Sequence, residues 1–502
     1  MNAADLLDRA ARYFPALPAL VFEGKSTSYA ELRGMVQRVA AGLVDAGVEP
    51  GDRVALFLPN IPEFIVAYQA CQWAGAVTVS ANVMLTTEEL RYLLEDSGAK
   101  LVFTTESLWQ PLAPLVDRLV GGPQRVVVCE GAVGSARSLS DFGRETPNER
   151  PLYREAAEAA AILYTSGTTG RQKGATLSVG NIVSNAHATR HLLHITPHDR
   201  LLLFLPLFHV FGQNFIMASA FAAGASIVLH RRFDRDGVLT SIARDRVSMF
   251  FAVPTIYIML LSDGVRAERM QGVRYFFSAA ATMPVEVAAR WTEIFGIPIH
   301  EGYGLTETSP SASYNHEWRH RPGSIGTPID NVEMRVVDAE DREVPAGTWG
   351  EICIKGPNTM LGYWNKPAET AEALRGGWFH SGDVGYVDDD GYFFIVDRTK
   401  DMINSAGFKI WPREVEEVLY QHPAVGECAV YGIPDPIKGE VTVAAIVLAA
   451  GNPATETDLE AFCRDRLATY KVPRAFQFVA TLPKSATGKV LKRVLRDQVP
   501  SA

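Results

Sequence analysis

The first half of the 502-residue chain contains one α/β unit twice. The run Asp52-Arg-Val-Ala-Leu-Phe-Leu-Pro59 recurs as Asp199-Arg-Leu-Leu-Leu-Phe-Leu-Pro206. Each copy continues into an apolar segment, Phe64-Ile-Val-Ala in one and Phe215-Ile-Met-Ala in the other, and each segment ends in Ala-Gly-Ala before a further apolar run. Strand, helix closed by glycine, strand is the pattern of a parallel crossover, because glycine tolerates the left-handed conformation that ends a helix. The matched order of all three features predicts a duplication, and hence two similar α/β layers.

The rest of the chain adds two further textures. After Met334, short alternating runs over Met334–Val344, Gly350–Lys355 and Gly391–Val396 are split by Gly, Pro and Asp, which predicts a small β-rich subdomain. Beyond Lys400 the pattern resets, with helices expected near Pro412–His422 and Glu456–Leu467 and strands at Glu427–Gly432 and Val441–Leu448. The expected division is an N-terminal domain over 1–397 and an α+β C-terminal domain over 401–502, with the boundary at 398–400, the whole being a multidomain α/β protein.

Several classes are excluded early. With 57 acidic against 48 basic residues the net charge is −9, which is not that of a general nucleic-acid binder. The stretch Leu201–Leu229 carries no charged side chain and exceeds the roughly 20 residues of a membrane-spanning helix. Pro206, His209, Gln213, Asn214 and Gly224 interrupt it, so it is expected to fold as buried strand, turn, helix and strand, leaving only peripheral membrane contact open. The first residues place Asp5 and Asp8 among apolar residues at helical spacing, the pattern of a surface helix and not of a signal peptide. Five scattered cysteines without metal-ligand spacing are expected to be reduced core residues of a cytoplasmic protein.

Four runs carry chemistry. In Ile162-Leu-Tyr-Thr-Ser-Gly-Thr-Thr-Gly-Arg-Gln-Lys-Gly174 an apolar strand enters a loop of hydroxyl and glycine residues whose N–H and O–H groups can wrap phosphate oxygens, with Lys173 adding a point charge. A Walker loop would open a helix, whereas Lys173-Gly174 leads into a second apparent strand. In Glu301-Gly-Tyr-Gly-Leu-Thr-Glu-Thr308, glycines flank a tyrosine that can stack on a flat ligand, and Glu307 is a hard oxygen donor suited to Mg²⁺. Trp378-Phe-His-Ser-Gly-Asp383 and Asp397-Arg-Thr-Lys-Asp401 supply a turn carboxylate and an arginine that can meet ribose hydroxyls, although a turn aspartate also caps its own backbone. Pro483-Lys-Ser-Ala-Thr-Gly-Lys489 is a polar loop with a lysine at its tip, in a segment with seven basic residues and one acid from Lys471 to the C-terminus. A charge run of this kind is by itself usually a solvated face.

In this order and spacing the four runs resemble the adenylate-forming superfamily of acyl-CoA synthetases, adenylation domains and luciferases, over essentially the whole chain. The resemblance implies two half-reactions: a carboxylic acid attacks the α-phosphorus of MgATP to give acyl-AMP and pyrophosphate, and a thiol, usually of coenzyme A, then displaces AMP. By motif match, Thr165, Ser166, Gly167, Thr168, Thr169 and Lys173 hold the β- and γ-phosphates. Thr306 and Glu307 organise phosphate and Mg²⁺, with Glu307 as the metal ligand. Tyr303, between Gly302 and Gly304, stacks on adenine, and Asp383 and Arg398 hold the ribose. Lys489 is the lysine that bridges carboxylate and α-phosphate, Lys400 matches the hinge, and Gly407 belongs to the Ser405–Phe408 turn that lines the thiol tunnel after the small domain rotates. Lys489, Glu307, Thr165 and His209 make up the implied catalytic set.

Leu205-Pro-Leu-Phe-His-Val-Phe-Gly212 matches the family's acyl-site segment and sets His209 beside the reacting carboxylate, although a core histidine at the end of a buried strand is the plainer alternative. Amino-acid-activating relatives carry an aspartate here, acetate-specific ones a tryptophan where this chain has Gly304, and malonate-type ones an arginine where it has Gly302. An open, uncharged pocket implies a medium- or long-chain fatty acid. The alternatives are an aryl-acid CoA ligase and an acyl-AMP ligase that loads a carrier-protein thiol.

Overall fold

The computed structural model describes residues 1–117, 122–144, 149–165, 172–398, 401–449, 451–486 and 488–497. The two copies of the repeated unit fold alike. Strand Arg53–Leu56 pairs in parallel with Val77–Ser80, Arg53 opposite Val77, across helix Pro62–Ala74, which Gly75 closes at φ 79°. Strand Arg200–Leu203 pairs in parallel with Ser226–Leu229, Arg200 opposite Ser226, and the connecting helix ends at Gly224 with φ 76°. The equivalence extends to the sheets. Val77–Ser80, Arg53–Leu56, Leu101–Thr104 and Val126–Val128 lie side by side in an eight-stranded sheet; Ser226–Leu229, Arg200–Leu203, Met249–Ala252 and Tyr275–Ser278 do so in a nine-stranded one.

The turns entering the two units are wired identically. Asp52 accepts the N–H of Glu49 at 2.9 Å and Asp199 that of Thr196 at 2.9 Å. Each buried acid is then neutralised by a cation from a neighbouring segment, Lys100 at 2.8 Å and Arg274 at 2.8 Å. Such agreement is what duplication of a self-consistent unit leaves behind.

The layers meet through side chains that replace lost water contacts. Asn60 accepts the Leu207 N–H and donates to the Leu205 carbonyl, both at 2.8 Å, and Gln213 donates to Ser80 Oγ at 2.8 Å. Helix Pro62–Ala74 is buried all round from Phe64 onward, as an apolar helix sandwiched between layers must be. The uncharged stretch Leu201–Leu229 is the expected buried strand, turn, helix and strand, and no helix among the described residues is long and apolar enough to cross a membrane. The N-terminal helix, Asp5–Tyr13, buries more than a surface helix should: Leu6, Leu7, Ala10 and Ala11 are covered, and so is Asp8, paired with Arg33 at 2.7 Å.

A four-stranded antiparallel sheet follows, formed by Glu333–Val337, Gly350–Lys355, Phe379–Val387 and Phe393–Arg398. The run expected over Met334–Val344 leaves the ladder after Val337, because Asp338 accepts the N–H groups of Glu340 and Arg342 and turns the chain. The small C-terminal domain is built on the hairpin Val425–Asp435 and Gly439–Leu448, with helices Pro412–Tyr420 and Glu456–Arg464 closing a core of its own around Val415, Leu419, Val430 and Ile446. All five cysteines are free thiols; four are buried and Cys129 is partly so.

Candidate active site

A cavity of about 490 Å³ opens where the two α/β layers, the four-stranded sheet and the small domain converge, and Thr165, Lys173, His209, Tyr303, Glu307 and Lys489 all face it. An adjoining cavity of about 240 Å³ shares Tyr303, Arg398 and Lys489 with it and adds Asp383. Four motifs read separately along the chain thus face connected space.

The first motif is a hairpin, as its two apolar arms predicted. Ala159–Thr165 pairs antiparallel with Lys173–Ser178, and Thr165 stands opposite Lys173. Ser166, Gly167, Thr168 and Thr169 lie outside the described residues. The arms are tied to helix Thr87–Ser97: Tyr164 Oη donates to Asp96 at 2.7 Å, and Tyr92 Oη donates to the Gln172 carbonyl at 3.1 Å. The Lys173 ammonium sits 5.1 Å over the Tyr363 ring, and Tyr363 Oη donates to Glu307 Oε1 at 2.8 Å.

Glu307 follows strand Ile299–Gly304 on a single helical turn with Thr306. It is 8 % exposed, and burial pushes its carboxyl above the usual carboxylate range. The nearby Arg398, whose charge partly offsets that burial, is ion-paired to Asp383 instead. A desolvated oxygen donor facing a cavity fits Mg²⁺.

Tyr303, Asp383 and Arg398 form one unit. Tyr303 Oη donates to Asp383 Oδ2 at 2.7 Å, Arg398 Nε lies 2.9 Å from Asp383 Oδ1, and the last two are cross-strand partners. A carboxylate offers about four lone-pair directions, so Asp383 retains acceptor capacity with both protein donors in place. The glycines beside Tyr303 are set by packing as well as by ligand access. A Cβ on Gly302 would overlap the Phe277 ring, and one on Gly304 the Pro310 carbonyl. Gly304 therefore reports close backbone approach before it reports an open pocket.

His209 lies at the entry to the second repeated helix, which begins as a widened π-type turn over Phe211–Met217. Its Nδ1 accepts the Phe211 N–H at 3.2 Å, which places the ring proton on Nε2. Burial and the nearby Lys489 charge lower its pKa to about 4. The unfolded chain protonates this ring near 6.5, so its contribution to stability is lost as pH falls from 6.5 toward 4. We predict that His209→Gln flattens the fall of thermal midpoint over that range. An unchanged slope would contradict the neutral assignment.

Lys489 arrives on a loop of the small domain that is closed by its own backbone: Ser485 N–H donates to the Lys489 carbonyl at 2.8 Å, and Lys489 N–H donates to Ser485 Oγ at 3.2 Å. Gly488, at φ 78°, passes so close to Val253 that a Cβ would collide with it, and its carbonyl accepts from Thr255 at 3.5 Å. The loop is thereby docked on the large domain.

The apolar part of the lining is aromatic. Phe215 stacks on Phe277 with centroids 4.7 Å apart, and Phe211 meets Phe215 edge-on at 5.3 Å. Gly407 is not brought to either cavity. It sits with Ala406 in the hairpin turn between Ile403–Ser405 and Phe408–Ile410, both residues at positive φ. Lys400 lies outside the described residues. Motif reading passed over Tyr363, Asp96 and the Phe215–Phe277 pair, because each acts through a contact across distant elements and no local pattern marks it.

Known proteins resemble the chain over nearly its whole length. Residues 7–364 match the family model described as AMP-binding enzyme, and residues 414–489 match that of the AMP-binding enzyme C-terminal domain. The chain is 38 % identical to a feruloyl-CoA synthase of Amycolatopsis sp, covering 97 % of both chains. It is 35 % identical to a long-chain-fatty-acid–CoA ligase of Bacillus subtilis, covering 98 % of this chain and 93 % of the relative. Among solved structures it superimposes on the anthranilate CoA ligase AuaEII in complex with anthranoyl-AMP with a TM-score of 0.93, at 29 % identity, over 99 % of this chain and 97 % of that one. The chain belongs to the AMP-binding, adenylate-forming enzyme family.

Proposed function

We propose that this protein is an AMP-forming acid–thiol ligase that converts a carboxylic acid, ATP and coenzyme A into acyl-CoA, AMP and pyrophosphate. The observation that carries the reading is the lodging of Lys489, from the small domain, in the cavity that also holds His209, Glu307 and Tyr303 and borders the Asp383–Arg398 pair.

In the first step a carboxylate oxygen of the acid forms a bond to the α-phosphorus of ATP, the bond to the bridging oxygen breaks, and pyrophosphate leaves. Asp383 and Arg398 take the ribose hydroxyls and Tyr303 the adenine face. Thr165, Lys173 and residues 166–169 take the β- and γ-phosphates. Lys489 stabilises the negative charge that gathers between carboxylate and phosphate in the transition state, a role for a cation already positioned at the cavity. Glu307, with Thr306 beside it, would hold Mg²⁺, which when bound neutralises charge on the departing pyrophosphate. Neutral His209 packs beside the reacting carboxylate, adds no charge of its own and leaves Lys489 as the local cation. In the second step the thiolate of CoA attacks the acyl carbon and AMP departs. The segment 398–400 is the proposed hinge, about which residues 401–502 turn to withdraw Lys489 and present Gly407 to the thiol. The unpaired cysteines support a reducing, cytoplasmic setting.

The apolar part of the cavity lining supports an apolar acid of medium or long chain. The Phe211, Phe215 and Phe277 rings favour a second reading, an aryl acid stacked among them. Pyrophosphate release across straight-chain and aromatic acids, with and without CoA, tests both. A response to apolar acids with CoA-dependent release of AMP is expected. Silence toward every acid would overturn the reading, and AMP release that requires a carrier-protein thiol would exclude CoA as acceptor.

A further inference from the structure

Asp383 reaches its cavity through a bulge, and a residue outside both cavities holds that bulge in shape. Along the paired strands Gly350–Lys355 and Phe379–Val387, Glu351 lies opposite Val384 and Cys353 opposite His380. Ile352 alone therefore faces Ser381, Gly382 and Asp383. Bulges re-aim side chains beside active sites, and their extra residues lose the ladder that would otherwise fix them.

Here side chains replace the ladder. Glu351 Oε1 accepts the Gly382 N–H at 2.9 Å, and Glu351 Oε2 accepts from His380 Nδ1 at 2.8 Å. Ser381 Oγ donates to the Ile352 carbonyl at 2.6 Å and accepts the Asp383 N–H at 3.1 Å. Gly382, at φ 71°, supplies the conformation that lets its N–H turn back toward Glu351. One carboxylate thus spans the two residues that lead into Asp383. Glu351, Cys353 and His380 also have the composition of a metal site, with Cys353 Sγ 3.3 Å from His380 Nδ1. Arg375 already supplies the cation there, 3.2 Å from Glu351 Oε2, and burial pushes the thiol up to about 12, far from the thiolate a metal requires.

We infer that Glu351 is a positioning residue for the nucleotide ribose: it fixes the Ser381–Asp383 bulge so that the Asp383 carboxylate meets the ribose hydroxyls, without itself touching nucleotide or acid. The inference rests on the assignment of Asp383 to the ribose made above. Glutamine keeps the shape of Glu351 but turns one of its two acceptors into a donor, which then faces either His380 Nδ1–H or the Gly382 N–H.

The test compares ATP with 2′,3′-dideoxy-ATP as substrates of the full-length wild-type enzyme and of Glu351→Gln, Ser381→Ala and Asp383→Ala. Glu351→Gln should raise the KM for ATP about tenfold, the scale of one lost charge-assisted hydrogen bond, with kcat changed less than about twofold. It should also lose most of the preference for ATP over the dideoxynucleotide, approaching Asp383→Ala. Ser381→Ala should move the same way, and decides the matter by the same readout if Glu351→Gln fails to fold. Retention of the wild-type preference in both bulge variants while Asp383→Ala loses it would overturn the positioning role and leave the ribose assignment standing. Retention of the preference in Asp383→Ala itself would overturn the assignment and the inference with it.

Discussion

Lys489→Ala is expected to stop acyl-AMP formation while leaving thioester formation from supplied acyl-AMP largely intact. The side chain is solvent-accessible at the mouth of the cavity and its loop is held by backbone contacts, so the loop should keep its shape when the side chain is removed. Its effect should fall on the transition state. Loss of one preorganised electrostatic contact costs about 3–4 kcal/mol, or roughly 10²–10³ in rate, and a lysine between two anions belongs at the upper end of that range. Single-turnover assays of the two half-reactions check this. Equal loss of both steps would mean that Lys489 serves folding or nucleotide binding in general.

Glu307→Gln is expected to separate activity from stability. Glutamine preserves the acceptor for Tyr363 Oη and removes a carboxyl that burial already disfavours in its charged form. The thermal midpoint of the nucleotide-free protein should therefore stay level or rise at neutral pH, where the buried charge is most costly. Adenylation should fall by about 10²-fold and require more Mg²⁺, because the cavity loses its desolvated anionic oxygen donor. A fall in midpoint with an unchanged Mg²⁺ dependence would show that Glu307 holds Tyr363 and not the metal.

The legible part of this molecule was local. The repeat announced itself because strand, glycine-closed helix and strand each leave a signature within a few residues, and the two copies share even the turn acids Asp52 and Asp199. The hydroxyl-rich hairpin, the Gly-Tyr-Gly run and the Lys489 loop were likewise contiguous. What escaped was coupling across distance. The bond from Tyr303 to Asp383 joins positions 80 apart and that from Tyr363 to Glu307 positions 56 apart. No periodicity encodes either. The Phe215–Phe277 stack joins a helical turn to a strand 62 positions away in the chain. Gly304 was legible as a glycine but not for its main reason, the Pro310 carbonyl pressed against it. Asp383 could be read as a turn residue, whereas the bulge that presents it depends on Glu351 one strand away.

In the proposed mechanism the acid itself is activated before any thiol takes part. Exchange of labelled pyrophosphate into ATP, measured without CoA, reports that step alone. The proposed mechanism predicts exchange that depends on an apolar carboxylic acid and on Mg²⁺, that is lost in Lys489→Ala, and that is followed by equimolar AMP and acyl-CoA once CoA is added. Exchange indifferent to the acid, or release of ADP and phosphate in place of AMP and pyrophosphate, would contradict it.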